Sequence, residues 1–551
     1  MRKLLLAITV ILLFSGATKN TNPDYDIVIY GGTSAGVMAA VQAARMGKSV
    51  LLINPLSHLG GLSSSGLGWT DLGRSQTIGG LSREFYQALD RYYKKKEAWR
   101  QETREAFIAK VEGGNIWDRV MLPKNGIMPV FEPHVAELVF DEFIREHGVK
   151  MVKDQWLNRE TGVIKSGAAI KSVKMLSGEV YTAKIFIDAS YEGDLMAAAR
   201  VSYTVGREAN DQYKEFFNGI RTKDALKNQL PAGIDPFIIK GDTTSGLLPG
   251  INSDPGGPDG SSDNKIQAYC YRMCLTNDPS NRLEVVKPEG YKEQDFELLL
   301  RVAETGWMTY FKLDKMPNKK TDSNNSGGIS TDYIGMNYTY PEATYSERKK
   351  IEEAHIYWQA GLIWTLQNHA RVPDSIKARY KDWGLAKDEF SENGGWPYQI
   401  YVREARRMVS DKVLTEHYCL NEIKSEQPIA LGSYSMDSHN TQRHLAKDIR
   451  GRYYVTNEGD VQNEVKTPYG IEYGCIVPKK SEVVNLLVPV CLSASHIAYG
   501  SIRMEPVFMM LGQSAATAAV IALNEQVSVQ DVDYNKLKKR LLSDSMKLNP
   551  N

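Results

Sequence analysis

The chain opens on a short apolar run, Leu4 to Phe14, preceded by Arg2 and Lys3 and followed by the small residues Ser15-Gly16-Ala17. That layout predicts a signal peptide over residues 1–17, with an apolar core too short to span a bilayer as a mature helix. The polar residues Thr18 to Asp24 then separate it from Asp26-Ile27-Val28-Ile29-Tyr30, a β-branched run ending at two glycines that reads as a buried strand. Ser34 to Met46 is rich in Ala, with Val37, Ala40, Val41 and Ala44 at helical spacing and Gly47 placed to end the helix. Ser49 to Ile53 is a second buried strand. Strand, glycine turn, helix and strand in succession predict a βαβ unit, because parallel strands need such a crossover.

Beyond Lys95 the texture turns to charged helices and loops, until Val180 to Asp188 returns to a strand pattern. Thr204 to Asn264 is polar and broken by Pro and Gly, Lys265 to Thr276 alternates as a strand does, and Asp314 to Ser330 reads as a mobile surface loop. Glu342 to Asn368 and the arginine-rich Trp396 to Val413 read as helices. Val483 to Cys491 reads as a buried strand, Glu505 to Leu523 as an apolar Ala-rich helix, and Tyr534 to Leu542 as an amphipathic helix. No stretch after the first is expected to be a transmembrane helix. The pattern predicts an α/β protein, a Rossmann-like domain over residues 24–204 and 431–551 interrupted by a large α+β insert over 205–430.

Composition narrows the partners. With 67 basic and 66 acidic residues the net charge is near zero, which gives no reason to expect nucleic acid or an anionic membrane surface. Five cysteines are too few for a disulfide framework in 551 residues. Cys270 and Cys274 lack a second pair nearby, and His439 with His444 lacks a third ligand, so no metal site is expected.

The turn Gly31-Gly32-Thr33-Ser34-Ala35-Gly36 carries the chemistry. A dinucleotide turn needs little side chain, because backbone N–H groups and a helix N-terminus must approach a pyrophosphate closely. Two positions depart from the G-x-G-x-x-G fingerprint: its middle glycine is Thr33, whose hydroxyl would be free to donate to a phosphate, and the acid expected after the second strand is Asn54. The stretch Leu56 to Gly68, including Gly60 and Gly61, then holds small residues with no regular period, as an elongated cofactor lying along the backbone requires.

These segments, YGGTSAGVMAA, HLGGLSSSGLGWTD, FIDASYEGDL, GGWPYQIYVREARRM, GSYSMDSHNTQR and SHIAYGSIRMEPVFMMLGQSAATAA, resemble the secreted bacterial FAD-dependent oxidoreductases of the glutathione-reductase-like fold. The resemblance implies FAD. It places Asp188, Ala189, Gly193 and Asp194 beside the cofactor and the block with Gly500, Arg503, Glu505, Pro506, Gly512 and Gln513 towards the flavin pyrimidine ring, where a positive helix end would stabilise the reduced anion. Some flavoproteins of similar fold attach FAD through a His in this loop, which makes His58 a candidate for covalent attachment.

For substrate, the cluster Tyr398, Arg403, Glu404, Arg406 and Arg407 with Asp437, His439, Arg443, His444, His496 and Arg503 offers guanidinium clamps for a carboxylate or sugar hydroxyls. His439 or His496 would exchange a proton near neutral pH, with Arg403 orienting the substrate. The expected function is an exported, periplasmic or extracellular, FAD-dependent oxidation of an alcohol or amine on a small molecule or carbohydrate, by hydride transfer to flavin N5, with an electron acceptor the sequence leaves unidentified. The alternatives are a polysaccharide-lyase-type enzyme and a non-catalytic ligand-binding protein on a flavoprotein fold.

Overall fold

The computed structural model describes residues 24–550; the expected signal peptide lies outside them. The chain runs β1 (Tyr25–Tyr30), α1 (Ser34–Arg45), β2 (Val50–Ile53), α2 (Gly80–Tyr93), α3 (Pro133–Glu146), β3 (Lys150–Val152), β4 (Val163–Ser166), β5 (Ala169–Lys174), β6 (Val180–Asp188) and α4 (Asp194–Ala198). The central part then contributes β7 (Met273–Thr276), β8 (Arg282–Leu283), β9 (Asp314–Met316), β10 (Lys320–Ser323), α5 (Tyr345–Asn368) and β11 (Gly384–Ala386). Last come β12 (Met436–Ser438), β13 (Gln442–Lys447), β14 (Tyr453–Glu458), β15 (Val461–Asn463), β16 (Leu486–Leu487), α6 (His496–Ile502), α7 (Glu505–Glu525) and α8 (Tyr534–Ser543).

The main sheet has the order β3-β2-β1-β6-β5-β4, with β16 also paired to β6. Strands β3, β2, β1, β6 and β16 are parallel, while β5 and β4 extend the sheet antiparallel. Tyr30 stands opposite both Ile53 and Asp188, so β1, β2 and β6 end at one level. Their outgoing loops meet at that edge, where an open parallel sheet binds its ligand. The expected Rossmann-like α/β fold is therefore present, and the chain rejoins it through β16 and α7.

Small residues decide how closely the helices cover this sheet. A Cβ on Gly36 would lie 1.9 Å from the Gly31 carbonyl oxygen, and one on Gly512 would lie 2.1 Å from that of Ala35. Helix α7 is long and apolar enough to cross a membrane by length and composition, contrary to the expectation that no such stretch follows the N-terminus. Here Glu505 to Ala522 are all buried in protein, packed along α1.

The insert holds the antiparallel sheet β9-β10-β7-β11-β8. Four expectations change here and at the return. Asp314 to Ser330 is not a surface loop: β9 and β10 form a hairpin in this sheet, and Lys320 to Ser323 are buried. Its polar side chains are matched inside the protein. Asp322 takes the Arg272 guanidinium at 2.7 Å, and the Lys320 ammonium lies 2.8 Å from Glu132, 2.8 Å from Asp388 and 2.6 Å from Glu389.

Trp396 to Val413 is not a helix. It runs without regular structure except for a two-residue strand, Arg407–Met408. Arg403, Arg406 and Arg407 are buried on separate carboxylates, Asp332, Glu342 with Asp194, and Glu208, and these partners win over helical periodicity. Only β7 forms within Lys265 to Thr276, because side chains replace the ladder before it: Tyr271 N–H donates to Gln359, whose amide donates back to the Tyr271 carbonyl. Only β16 forms within Val483 to Cys491, where the Asn485 amide pairs with both backbone groups of Ile170.

Replacing Gly512 with Val is expected to push α7 off α1 and lower stability by about 1–3 kcal/mol, the usual cost of overpacking. Urea unfolding of the purified protein measures it; an unchanged midpoint would show that the helices do not need this approach.

Candidate cofactor and substrate sites

A cavity of about 540 Å³ opens at the ends of β1, β2 and β6. Gly31, Gly32 and Thr33 form its floor, with Asn54, His58, Gly61, Ser190 and Tyr191 around them and Tyr345, Arg348 and Lys349 of α5 closing it from the insert. Gly31 is at φ +105°, and a Cβ there would lie 2.7 Å from the Ala189 carbonyl carbon. At Gly32 a Cβ would lie 2.4 Å from the Asn54 side chain. The floor is thus bare backbone at the N-terminus of a twelve-residue helix, which suits a pyrophosphate.

The two departures from the fingerprint have structural roles. Thr33 caps α1: its hydroxyl donates to the Ala189 carbonyl at 2.7 Å and accepts from Gly36 N–H at 3.3 Å, so it is not free for a phosphate. Asn54 accepts from Gly32 N–H at 3.1 Å and donates to the His58 carbonyl at 2.7 Å, tying the two turns together. Gly60 N–H donates to the Gly32 carbonyl at 2.8 Å, and a Cβ on Gly61 would strike the Tyr191 hydroxyl at 2.3 Å.

His58 stands in the cavity wall with its ring stacked on Tyr398 at 3.3 Å. Its Nδ1 lies 3.1 Å from Glu137 on α3, and its Nε2 lies 3.4 Å from Glu392. Both nitrogens face carboxylates, which gives His58 a holding role in the wall.

The remaining cofactor candidates divide. Asp188 caps α4, accepting from Ser190 and from Met196 N–H at 2.7 Å, and burial pushes its carboxyl up to about 6. Gly193 supplies the left-handed residue before that helix, at φ +68°. Asp194 lines the cavity and is held by Arg348 at 2.7 Å, Arg406 at 2.8 Å and Arg159 at 3.3 Å; burial works against its charge, but the arginines keep its carboxyl below the usual range. Ser34 donates to Glu505 at 2.5 Å, joined by Tyr191 at 2.6 Å and Ser63 at 3.3 Å. Glu505 therefore joins the starts of α1 and α7. Ala35 and Gly512 pack against each other, and Gln513 accepts from Leu81 N–H in α2 at 2.8 Å; neither Gly512 nor Gln513 lines the cavity.

A second cavity, of about 410 Å³, lies where the insert meets β12 and β15. Asp71, Asn228, Arg272, Lys312, Asn324, Asn325, Tyr401, Tyr434 and His439 line it together with Lys227 and Gln462, so no aliphatic side chain faces it. It adjoins the glycine loop: a Cβ on Gly66 would meet the Arg272 carbonyl oxygen at 1.8 Å. His439 Nδ1 lies 2.9 Å from Asp332, and its Nε2 lies 3.6 Å from Asp437. Asp332 is itself paired with Arg403 at 2.9 Å; burial opposes its charge, and Arg403 and His439 hold its carboxyl down. Arg503 donates to the Tyr401 hydroxyl at 2.7 Å and reaches Asp437 at 3.4 Å.

Of the three residues expected to act on substrate, only His439 faces this cavity. Arg403 is fully buried and does not line the cavity; it is paired with Asp332. His496 is buried elsewhere, with Nδ1 2.8 Å from Glu404 and Nε2 3.1 Å from Ser438. That row has the order of a Ser-His-acid triad, but none of its members lines either cavity. Asp332, Arg272 and Tyr401 were not singled out by pattern. Asp332 and Arg272 stand alone in unremarkable segments, and Tyr401 lies in a block whose arginines drew attention instead.

Among the described residues, metal-ligating side chains converge at Glu132, His134 and Glu389, where the Lys320 ammonium already supplies the positive charge. His444 instead faces the Leu445 carbonyl. All five cysteines are buried and unpaired.

Burial pushes Glu505 up to about 7, against its three hydroxyl donors. The folded protein then binds a proton that the unfolded chain has lost between about pH 4.3 and 7, so this group's contribution falls as pH rises through that window. Glu505→Gln is expected to gain on the wild type from pH 5 to pH 8, by on the order of 3 kcal/mol. Urea unfolding of the FAD-free proteins tests it, and parallel pH curves would refute it.

Comparison with curated protein sequences gives no match. Among solved structures, AlpK is 15% identical over 39% of this chain and 43% of its own, with a TM-score of 0.23. L-amino acid deaminase from Proteus vulgaris, lacking its specific insertion, is 15% identical over 35% of this chain and 63% of its own, with a TM-score of 0.23. L-proline dehydrogenase from P. horikoshii is 19% identical over 33% and 58%, also at 0.23. Each likeness spans less than two thirds of the other chain and carries nothing about substrate. The family described as FAD dependent oxidoreductase matches residues 26–541, and with the glycine floor and its cavity in place the chain belongs to that family, an FAD-dependent oxidoreductase.

Proposed function

We propose that the protein oxidises a hydroxyl group on a polar small molecule or carbohydrate bound in the 410 Å³ cavity. The observation that carries this reading is the Asp332–His439 pair opening on a cavity lined by hydrogen-bonding side chains alone. Such a lining suits a polyhydroxylated ligand, which must replace water at every hydroxyl. Three cations on the lining, Lys227, Arg272 and Lys312, count against a substrate that carries an ammonium.

FAD, when bound, supplies the acceptor for a hydride. Gly31, Gly32, Asn54, Ser190 and Tyr191 would hold it, with Arg348 and Lys349 over the same cavity. His439 Nε2 takes the proton of the substrate hydroxyl. Asp332, on Nδ1, keeps the ring in the tautomer whose Nε2 carries the lone pair, with Asp437 3.6 Å from that nitrogen, and Arg403 keeps Asp332 ionised. Export, and with it an extracellular or periplasmic carbohydrate, rests on the N-terminal pattern of Arg2, Lys3 and the run Leu4 to Phe14. The electrons would leave to an acceptor outside this chain.

Anaerobic mixing of the holoenzyme with aldohexoses, hexuronates, polyols and their amino analogues tests the reading. At least one hydroxylated compound is expected to bleach the flavin. His439→Gln is expected to slow that bleaching about 10²- to 10⁴-fold while retaining bound FAD. Bleaching by the amino compounds alone, or by none of the panel, would reject oxidation of a sugar hydroxyl.

A further inference from the structure

Tyr401 is the least explained group in the second cavity. Its ring is enclosed by three guanidiniums, Arg403 at 4.6 Å, Arg503 at 5.6 Å and Arg272 at 5.7 Å from the ring centre. Its hydroxyl oxygen receives the Arg503 N–H at 2.7 Å. A guanidinium has no lone pair to offer, so the tyrosine oxygen must accept in that bond, and its own hydrogen points elsewhere. Among the described residues it donates to no acceptor; its one hydrogen bond is that from Arg503. Tyr434, on the same cavity, differs: its hydroxyl donates to Asp71 at 3.1 Å.

Resting on the reading of this cavity as the substrate site, we infer that Tyr401 is an oxyanion donor, whose O–H hydrogen-bonds the reacting oxygen of the substrate. As His439 removes the hydroxyl proton, negative charge grows on that oxygen, and a donor already aimed at it stabilises the charge without reorganising. Arg503 holds the phenol in place and strengthens it as a donor by withdrawing charge from its oxygen. Burial keeps the Tyr401 proton on above the usual tyrosine range, against the pull of Arg503 and Arg403, so the group is a donor at neutral pH. Arg272 adds positive charge at the same wall. Two of its nitrogens are taken by Asp322, and the third has no partner among the described residues. No bond to Tyr401 is made or broken.

Sodium acetate serves as an oxyanion probe that needs no turnover. Titrated calorimetrically into the holoenzyme, it is expected to bind, and Tyr401→Phe is expected to weaken binding about ten- to a hundredfold, the loss of one hydrogen bond to a charged group. FAD content and near-ultraviolet dichroism should stay unchanged. A structure of the wild-type holoenzyme with acetate decides the point without any variant: an acetate oxygen on the Tyr401 hydroxyl supports the assignment, and acetate bound elsewhere overturns it. No heat of binding, or equal affinity in Y401F, overturns it as well. Tyr401-dependent acetate binding with no flavin bleaching by any sugar would reject the carbohydrate reading and leave the oxyanion site standing. Sugar bleaching at an equal rate in Y401F would do the reverse.

Discussion

The approach of α1 to its neighbours sets the terms for everything around it. Gly36 lets the helix start directly beneath the Gly31 carbonyl, and Gly512 lets α7 lie against Ala35 with no side chain between. Close packing of this kind keeps bulk away from the glycine turn, so Gly31, Gly32 and Thr33 line the cavity at the positive end of the helix. It also fixes where α7 begins. Glu505 can meet Ser34 only because the two helix starts are side by side. The cofactor cavity and the segment carrying Arg503 therefore share one packing constraint.

Charge performs the corresponding task between the cofactor domain and the insert. Asp194, on the first, binds Arg348 and Arg406 of the second, and Glu132 shares the Lys320 ammonium with Asp388 and Glu389. Buried pairs of this kind add little net stability, because desolvation consumes most of the attraction, but breaking one side leaves a stranded charge. They work as alignment. The insert can sit on the sheet in the one position that matches every pair, and that position brings α5 over one cavity and Arg272 onto the other.

Legibility followed burial type. Segments whose partners are apolar, such as β1, α1, β6, α7 and α8, were readable because hydrophobic periodicity reports which face is covered. The glycine turn was readable because it needs absence of side chains. The arginine-rich stretch after Trp396 and the polar stretch after Asp314 were not: the first reads as a helix and the second as a surface loop, and both are buried with their charges matched by residues distant in the chain. Pattern cannot show a partner that lies far off in sequence. For the same reason His439 was visible as a titratable residue, whereas Asp332, which orients it, was not. Thr33 reads as a phosphate donor and Asn54 as a substitute for the usual acid, and they turn out to be a helix cap and a tie between turns.

The wall of the cofactor cavity has a consequence for the order in which the protein is completed. Its floor is made by residues near position 30, but Tyr345 and Arg348 come from the middle of the chain, and Tyr398 stacks on His58 from later still. A ribosome that has released only the first βαβ unit has made a recognisable turn and no container. The container is complete only once α5 and the segment carrying Tyr398 have packed over the turn, so the holoprotein is assembled by closing the insert around its cofactor rather than by building the fold upon it.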